Sequence, residues 1–382
     1  MPTSSATRSK KVALVASDAR ALVSHRAALI GEIVEAGHEV HCLAPEFDED
    51  STTKLRALGV ATMSYPLALT GTNPFDELKT LRALNGIFQN LKPDVVLGTT
   101  SKPAIYGTIA AYKSGTPHVV LMIDRLGYSF LEGRGLKSAV LRRTMRRLYR
   151  RALKRANGVI FHNRDDYELM TSLGLLPKSL PVHIVRGAGV DLASFPITPM
   201  PSMASEMTFL MVAPLEKYNG VREYAQAAVA IKREHPHTRW LLAGAQDERP
   251  SGITRDALAQ LGDGVEFLGP DHDVQGLYEQ AHVFVLPSYG EGMPQSVLRA
   301  MATGRPIITT DTRGCRETVD EVVNGRLVRV KDWSALADGL EFFIRHPDLI
   351  SSMGQASRQK AERLFDMRHI NREMIAILGL AD

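Results

Sequence analysis

Glu291 is followed at once by Gly292, and Pro294 stands two residues further on, in the run YGEGMPQSVLRAMATGRP (residues 289–306). A proline in the first turn of a helix loses nothing, because the N–H it lacks has no intrahelical acceptor there. Gly292 would let a ligand approach the backbone, and the first-turn amides of Met293, Gln295 and Ser296 would point at it. That arrangement suits a phosphate. A carboxylate cannot bind phosphate, so Glu291 is suited instead to accepting hydrogen bonds from sugar hydroxyls beside it. The same pattern also serves as a plain helix start, and the loop alone leaves both readings open. Eight residues after Glu291 stands a cation, Arg299. Gly292, Gln295 and Arg299 share one helix face at spacings of three and four, and helical side chains lean toward the N-terminus. The rise from 293 to 299 is about 9 Å, which a long arginine largely covers.

A second concentration of chemistry is LKSAVLRRTMRRLYRRALKRAN (136–157). It holds nine basic residues, from Lys137 through Arg142, Arg146 and Arg150 to Arg155, and no acidic one. Val140, Leu141, Met145, Leu148 and Leu153 form an apolar stripe at helical spacing. An amphipathic helix of this kind suits an anionic membrane surface, and a solvated surface helix is the plainer reading. Nucleic acid ranks last, since Tyr149 is the only aromatic in the stretch and no nucleic-acid motif accompanies it.

These residues need a scaffold, and the hydrophobic pattern supplies one. Val12 to Ala16, Val40 to Leu43, Val95 to Leu97, Val119 to Ile123 and Val159 to Phe161 read as buried parallel strands: short, β-branched and bounded by turn residues. Ser24 to Ala36 and Pro103 to Lys113 read as crossover helices between them. The alternation restarts with Phe209 to Val212, Trp240 to Ala243, Val265 to Leu268, Val283 to Leu286 and Ile307 to Thr309. ITPMPSMASEM (197–207) has neither period and reads as the linker. Strand and helix in alternation predict an α/β chain of two doubly wound Rossmann-like domains facing a cleft, with ligands at the carboxyl ends of the strands. Length agrees, because 382 residues exceed one ordinary core.

Composition narrows the class. A hydrophobic content of 44% with 23% charged residues belongs to a globular protein. The two cysteines, Cys42 and Cys315, are far apart and predict buried packing thiols in a reducing compartment. The apolar run after the basic N-terminus meets Asp18 too soon for a signal segment. No stretch approaches the ~18 consecutive apolar residues of a spanning helix. A cytoplasmic protein is expected, peripheral to the inner face of the plasma membrane through the basic helix. No His or carboxylate set has metal-ligand spacing.

EGMPQSVLRAMATGRPIITTDTRGCRETV, followed by NGRLV, resembles the donor-binding segment of family 4 glycosyltransferases of the GT-B fold. It is especially similar to bacterial enzymes that build exopolysaccharide, O-antigen or other glycans on a lipid carrier. The likeness extends through LSHRAALIGEIVEAGHEVHCLAP, TSKPAIYG, LGYSF, the segment from Phe161 to Asp165, RGAGVDLASF and FLGPDHDV. It implies an N-terminal acceptor-side domain over residues 1–196 and a nucleotide-sugar domain over 197–366, with residues 367–382 crossing back. Glu291 would hold donor-sugar hydroxyls, and Gly292, Met293, Gln295 and Ser296 the distal phosphate, with Lys217 and Arg299 nearby. Arg186 would be catalytic, and Gly189 and Asp191 would lie with it on the interdomain floor. Ser24, His25, Arg26, Lys102, Arg125 and Gly127 would face the acceptor. Such enzymes retain anomeric configuration and use neither metal nor cofactor beyond the nucleotide sugar, which the resemblance implies is UDP-linked. A polyprenyl-diphosphate glycan would be the acceptor.

The chain departs from the family where charge matters most. An arginine and a lysine usually grip the diphosphate in the turn after the first strand of the second domain. Here MVAPLEKYNGVREY puts Pro214 and Asn219 at those positions. Arg299 replaces a ribose-binding glutamate, and Arg125 replaces the first glycine of a Gly-Leu-Gly, with Asp124 before it. One lost donor aimed at developing charge slows turnover about 100- to 1000-fold. Either Lys217, Arg299 and Arg125 have taken over that charge, or the chain is an impaired homologue serving as a binding or regulatory partner.

Overall fold

The computed structural model describes residues 8–68, 73–126, 136–202, 206–246, 252–260, 262–270 and 273–381. The chain divides into two compact units, one of residues 1–188 with 369–382 and the other of residues 189–368.

In the first unit the order is β1 (Lys11–Val15), α1 (Ala19–Glu35), β2 (Glu39–Ala44), α2 (Glu49–Ala57), β3 (Ala61–Ser64), α3 (Pro74–Leu91), β4 (Val95–Gly98), α4 (Ser101–Ser114), β5 (His118–Ile123), α5 (Leu136–Leu153), β6 (Gly158–Phe161), α6 (Arg164–Ser172) and β7 (Val182–Ile184). The seven strands are parallel in the order β3-β2-β1-β4-β5-β6-β7. Chain order reverses between β1 and β4, where Val12 lies opposite Val95. The central strands are Val-, Ile- and Leu-rich because helices bury both their faces. Helix starts follow local chemistry: the Asp18 carboxylate accepts from the Arg20 amide at α1, and Asn73 caps α3 ahead of Pro74.

The second unit repeats the plan with β8 (Met207–Val212), α7 (Val221–Glu234), β9 (Thr238–Ala243), α8 (Arg255–Ala259), β10 (Glu266–Gly269), α9 (Val274–Gln280), β11 (Val283–Leu286), α10 (Gln295–Ala302), β12 (Ile307–Thr310), β13 (Gly325–Val328), α11 (Trp333–Arg345) and α12 (Leu349–Leu364). Its order, β10-β9-β8-β11-β12-β13, puts the switch between β8 and β11. The doubly wound Rossmann-like architecture read from the sequence is therefore present twice.

The last helix, α13 (Met367–Ile377), belongs to the first unit from His369 onward. Ile370 and Met374 join the core formed by Val12, Leu14, Ile30 and Ile33, and the Asn371 amide donates to Glu32 at 2.7 Å.

The segment read as a linker is anchored in the second unit. Buried Arg305 donates to the Tyr278 carbonyl at 2.8 Å, the Thr198 carbonyl at 3.1 Å and the Thr198 hydroxyl at 2.6 Å. Burial lowers its pKa to about 10 against the pull of Glu279. Upstream, Val190 bridges to Asp366, and a Cβ on Gly189 would stand 2.7 Å from the Met367 Cα. The division therefore falls at 188/189 rather than at 196/197. Among the described residues no helix is long and apolar enough to cross a membrane.

Candidate functional site

In a doubly wound sheet the crevice opens where strand order reverses, at the carboxyl ends of the strands. In the second unit that point is bounded by the turns after β8 (213–220) and β11 (287–294), and these turns pack on one another. The Tyr289 amide donates to the Tyr218 carbonyl at 2.8 Å, and the Ser288 hydroxyl oxygen lies 3.2 Å from the same carbonyl. Gly220 has φ +77°, and a Cβ there would lie 2.1 Å from the Pro287 oxygen, so only glycine lets the two turns meet.

Glu291 sits in this junction. The Ser288 hydroxyl donates to its Oε1 at 2.9 Å, and its amide donates to the Arg313 carbonyl at 3.0 Å. Gly314 (φ +70°) passes directly beneath, where a Cβ would come within 2.3 Å of the Glu291 oxygen and 2.4 Å of the Gly292 oxygen. Cys315 is buried beside it, its thiol pushed up to about 11 by burial first and by the Glu291 charge second. Cys42, the other thiol, is buried as well. Met293 packs into the core. Pro294, read as a first-turn residue, is instead the cap preceding α10, and no side chain caps that helix, whose first residues are Gln295 and Ser296.

The positions where cations were missing are filled in a definite way. The Asn219 amide donates to the Pro214 carbonyl at 3.0 Å, tying the two substituted residues together inside the turn. Lys217 is exposed between them, its ammonium 4.8 Å from the Tyr218 ring centre. Tyr218 meets Tyr289 edge-to-face at 6.1 Å, and Lys331 approaches the Tyr289 ring at 5.1 Å. Two lysines thus flank an aromatic pair at the switch point. Arg299, read as reaching back toward Gly292, has its guanidinium 5.1 Å from the ring centre of Phe195. Phe195 in turn packs edge-to-face on Tyr278.

Arg186 lies in the first unit, exposed in the turn after β7. Gly189 and Asp191 lie in the second. Burial opposes ionisation of Asp191, but hydrogen bonds from the Ser194 hydroxyl (2.6 Å) and Ala193 amide (2.9 Å), with Arg368 nearby, hold its pKa below the ordinary value. Both its carboxylate oxygens brace this turn.

The first unit carries a buried charge cluster at the carboxyl ends of β5 and β6. Arg26, read as acceptor-facing, is only 8% exposed. Its guanidinium donates to the Met122 sulfur at 3.0 Å, meets His162 Nε2 at 3.1 Å and lies 3.7 Å from Asp124. His162 Nε2 is 3.4 Å from the same carboxylate. Burial, with Arg26 and His25 adding to it and Asp124 opposing, lowers the His162 pKa to about 4. The ring is neutral at pH 7, and in the tautomer protonated on Nδ1 its Nε2 accepts from Arg26. Asp124 also accepts from the Thr100 amide at 3.1 Å, and Thr100 holds a left-handed φ of +63° to present it. Ser24 and His25 are exposed on α1, the former donating to the Arg20 carbonyl at 2.8 Å. Lys102 is paired with Glu77 at 2.7 Å and with the Ala68 carbonyl at 2.6 Å, while Arg125 is exposed. Gly127 lies outside the described residues.

On α5 the exposed basic residues are Arg143, Arg147, Arg150 and Arg151, with Lys154 exposed just after it, while Arg142 and Arg146 are half-buried. Met145, Leu148 and Leu153 face the core, but Val140 of the expected stripe is 59% exposed. Folding also gathers Glu234, His235 and Glu341 from α7 and α11. These lie where α7 ends, at the amino edge of the sheet and away from the Glu291 turn, and Arg345 already pairs with Glu341.

Ser288, Tyr218, Gly314, Thr100 and His162 were not singled out from sequence. Each reaches its partner across strands far apart in the chain, although Ser288 stands only three residues from Glu291.

Known proteins share this plan. Residues 22–187 match the family model described as glycosyl transferase 4-like domain, and residues 206–346 match that of glycosyl transferases group 1. The N,N'-diacetylbacillosaminyl-diphospho-undecaprenol alpha-1,3-N-acetylgalactosaminyltransferase of Campylobacter jejuni is 28% identical over 90% of this chain and 92% of its own. The UDP-Gal:alpha-D-GlcNAc-diphosphoundecaprenol alpha-1,3-galactosyltransferase of Escherichia coli is 27% identical over 75% and 74%. Anabaena Alr3699/HepE, solved in complex with UDP and glucose, superposes with a TM-score of 0.78 at 16% identity over 97% of this chain and 100% of that one, a likeness of fold. With one family model matching within each unit and the same architecture in a solved structure, the chain belongs to the family 4 glycosyltransferases of the GT-B type.

Proposed function

We propose that the chain transfers a sugar, with retention of anomeric configuration and without a metal, from a nucleotide-diphosphate sugar to a polyprenyl-diphosphate-linked glycan in surface polysaccharide or glycan biosynthesis. Two relatives matched over most of their length are named for diphospho-undecaprenol acceptors, and one for a UDP-linked donor, which supports UDP as the carrier here. The observation that carries the reading is the Ser288–Glu291 hydrogen bond at the second switch point. It holds a carboxylate beside the start of an uncapped helix, so sugar hydroxyls and a diphosphate have adjacent partners.

In the reaction the bond between the anomeric carbon and the diphosphate oxygen breaks, an acceptor hydroxyl oxygen bonds to that carbon and gives up its proton to the departing diphosphate, and negative charge grows on the leaving group. The α10 amides behind Gly292 and the exposed Lys217 stabilise that charge. Arg186, Gly189 and Asp191 complete the donor side, and Ser24, His25, Arg26, Lys102 and Arg125 the acceptor side, with Arg26 and Lys102 acting through the groups they pair with. The basic face of α5 brings the protein to the inner, anionic leaflet where the acceptor resides.

The Asn219–Pro214 bond favours one rival, an inactive homologue acting as a partner protein, because it replaces two cations with a neutral contact. Calorimetric titration with a panel of nucleoside diphosphates and nucleotide sugars separates the two. Saturable binding of a nucleotide sugar, abolished by Glu291→Ala in a folded protein, supports the transferase. Absence of any binding supports the partner.

A further inference from the structure

The first unit contains an apolar cavity of about 290 Å³ between α3, α4 and α5. Leu78 and Leu81 of α3 and Met145 and Leu148 of α5 line it. The two charges it contains, Glu77 and Lys102, are paired at 2.7 Å with only 14% of each side chain exposed. An anionic head group entering here would compete with that pair and lose its own hydration, whereas a hydrocarbon chain would displace only water from apolar walls. The size lies at the lower end of ordinary ligand pockets, roughly 300 Å³.

Helix α5 has a second concavity, lined by Arg147, Arg150, Arg151 and Lys154. Leu148 of the first and Arg151 of the second are three residues apart, about 4.5 Å along the helix and on adjoining faces, so the two concavities border one another. One takes hydrocarbon and the other takes anions. Leu78, which lines the first, is 41% exposed, and on the same two helices Phe75, next to lining residue Pro74, is 82% exposed and Val140, one turn before Thr144, 59%.

We propose that the cavity binds the hydrocarbon chain of a polyprenyl diphosphate and that Arg147, Arg150, Arg151 and Lys154 bind its diphosphate. The inference rests on the lipid-linked acceptor named above and adds the place where the lipid itself is held. Charge complementarity selects this occupant: a neutral hydrophobe would leave the four cations unused, and a free anion would leave the cavity unused.

Geranylgeranyl diphosphate, inorganic pyrophosphate and phosphatidylglycerol vesicles are titrated into the full chain and into Leu81→Trp and Met145→Trp, each of which fills the cavity without altering charge. Affinity for geranylgeranyl diphosphate falls at least tenfold in a variant that melts as the wild type does, while pyrophosphate affinity is unchanged. Replacing Arg147, Arg150 and Arg151 by glutamine weakens both. A diazirine-bearing prenyl diphosphate labels peptides 74–91 or 136–153. Wild-type affinity in both folded tryptophan variants, or labelling confined to other peptides, overturns the assignment. So does competition by phosphatidylglycerol vesicles equal to that by geranylgeranyl diphosphate, which would make the cavity a bilayer contact. If lipid-linked transfer persists in the tryptophan variants with prenyl binding unchanged, only the cavity assignment fails. If the wild type neither binds the prenyl diphosphate nor uses a lipid-linked acceptor, the acceptor reading fails with it.

Discussion

The Asn219 side-chain amide donates to the Pro214 carbonyl at 3.0 Å. The two residues standing where the family resemblance expects a lysine and an arginine are thus partners of one another, and the turn after β8 keeps its shape without either cation. The cation left at this turn is Lys217, exposed between them. Lys217→Ala should therefore slow transfer by about 100-fold, in the range of one lost donor aimed at a developing charge. Asn219→Ala should lower stability by about 1 kcal/mol through the lost hydrogen bond. Steady-state kinetics and thermal melts check the pair, and an unaffected Lys217→Ala rate would remove that residue from the diphosphate site.

Gly314 underlies the Glu291 turn so closely that any side chain must displace the Glu291 and Gly292 carbonyls. A shift of about 1 Å in a positioned group is enough to slow catalysis about 100-fold. Gly314→Ala should lose activity on that scale and also destabilise the fold, since its φ is +70°. Full activity would mean that the turn need not hold its carboxylate in place.

Arg299 is held over Phe195, and the contact has a thermodynamic signature. An arginine stacked on a partly exposed ring is worth about 0.5–1 kcal/mol, and its stem adds packing. Arg299→Ala should lower stability on that scale, and Arg299→Met should recover part of it. Binding of a nucleoside diphosphate and of the bare nucleoside should weaken equally or not at all. A selective loss of the diphosphate would show that the guanidinium leaves the ring to bind it.

His162 gives the fold an acid-sensitive element. Its pKa is about 4 in the folded chain, lowered chiefly by burial, against roughly 6.5 when unfolded. Between these values the unfolded chain binds the extra proton, so stability is present in full above pH 6.5 and falls as pH drops toward 4. The decline from this residue is about 3 kcal/mol. His162→Gln should flatten the difference in melting temperature between pH 6.5 and pH 4 relative to the wild type. Parallel curves for the two proteins would contradict the assignment.

The architecture was legible because parallel strands buried on both faces appear as unbroken apolar runs, and Val283–Leu286 was found to the residue. The strands without such a run are marginal ones. β3 is an edge strand, ATMS, with no buried residue; β7 spans only Val182–Ile184; and β13 begins Gly-Arg. α1 begins at Ala19, five residues before the helical spacing read from Ser24, because Asp18 caps it. At the site, Glu291 and Gly292 could be read because the turn is contiguous. Gly314 beneath them, Tyr218 beside Ser288, and His162 against Arg26 join segments 23 to 136 residues apart, and no local pattern announces such contacts. Arg299 stands out by its charge and Arg26 by the family resemblance, but what decides their role is the side chain each meets, Phe195 and His162.

The central claim is that a carboxylate oriented by Ser288 directs sugar transfer to a lipid-linked acceptor. Its most direct test is transfer of label from a nucleotide-diphosphate sugar to a polyprenyl-diphosphate-linked glycan by the purified chain, compared among wild type, Ser288→Ala and Glu291→Gln. The account predicts a glycosylated lipid product with the donor's anomeric configuration from the wild type. The rate should fall roughly 10-fold in Ser288→Ala, which loses one orienting hydrogen bond of about 1.4 kcal/mol, and at least about 100-fold in Glu291→Gln, with both variants folded. Glu291→Gln turning over at the wild-type rate, or a wild type that binds nucleotide sugar yet yields no product with any lipid-linked acceptor, would contradict it.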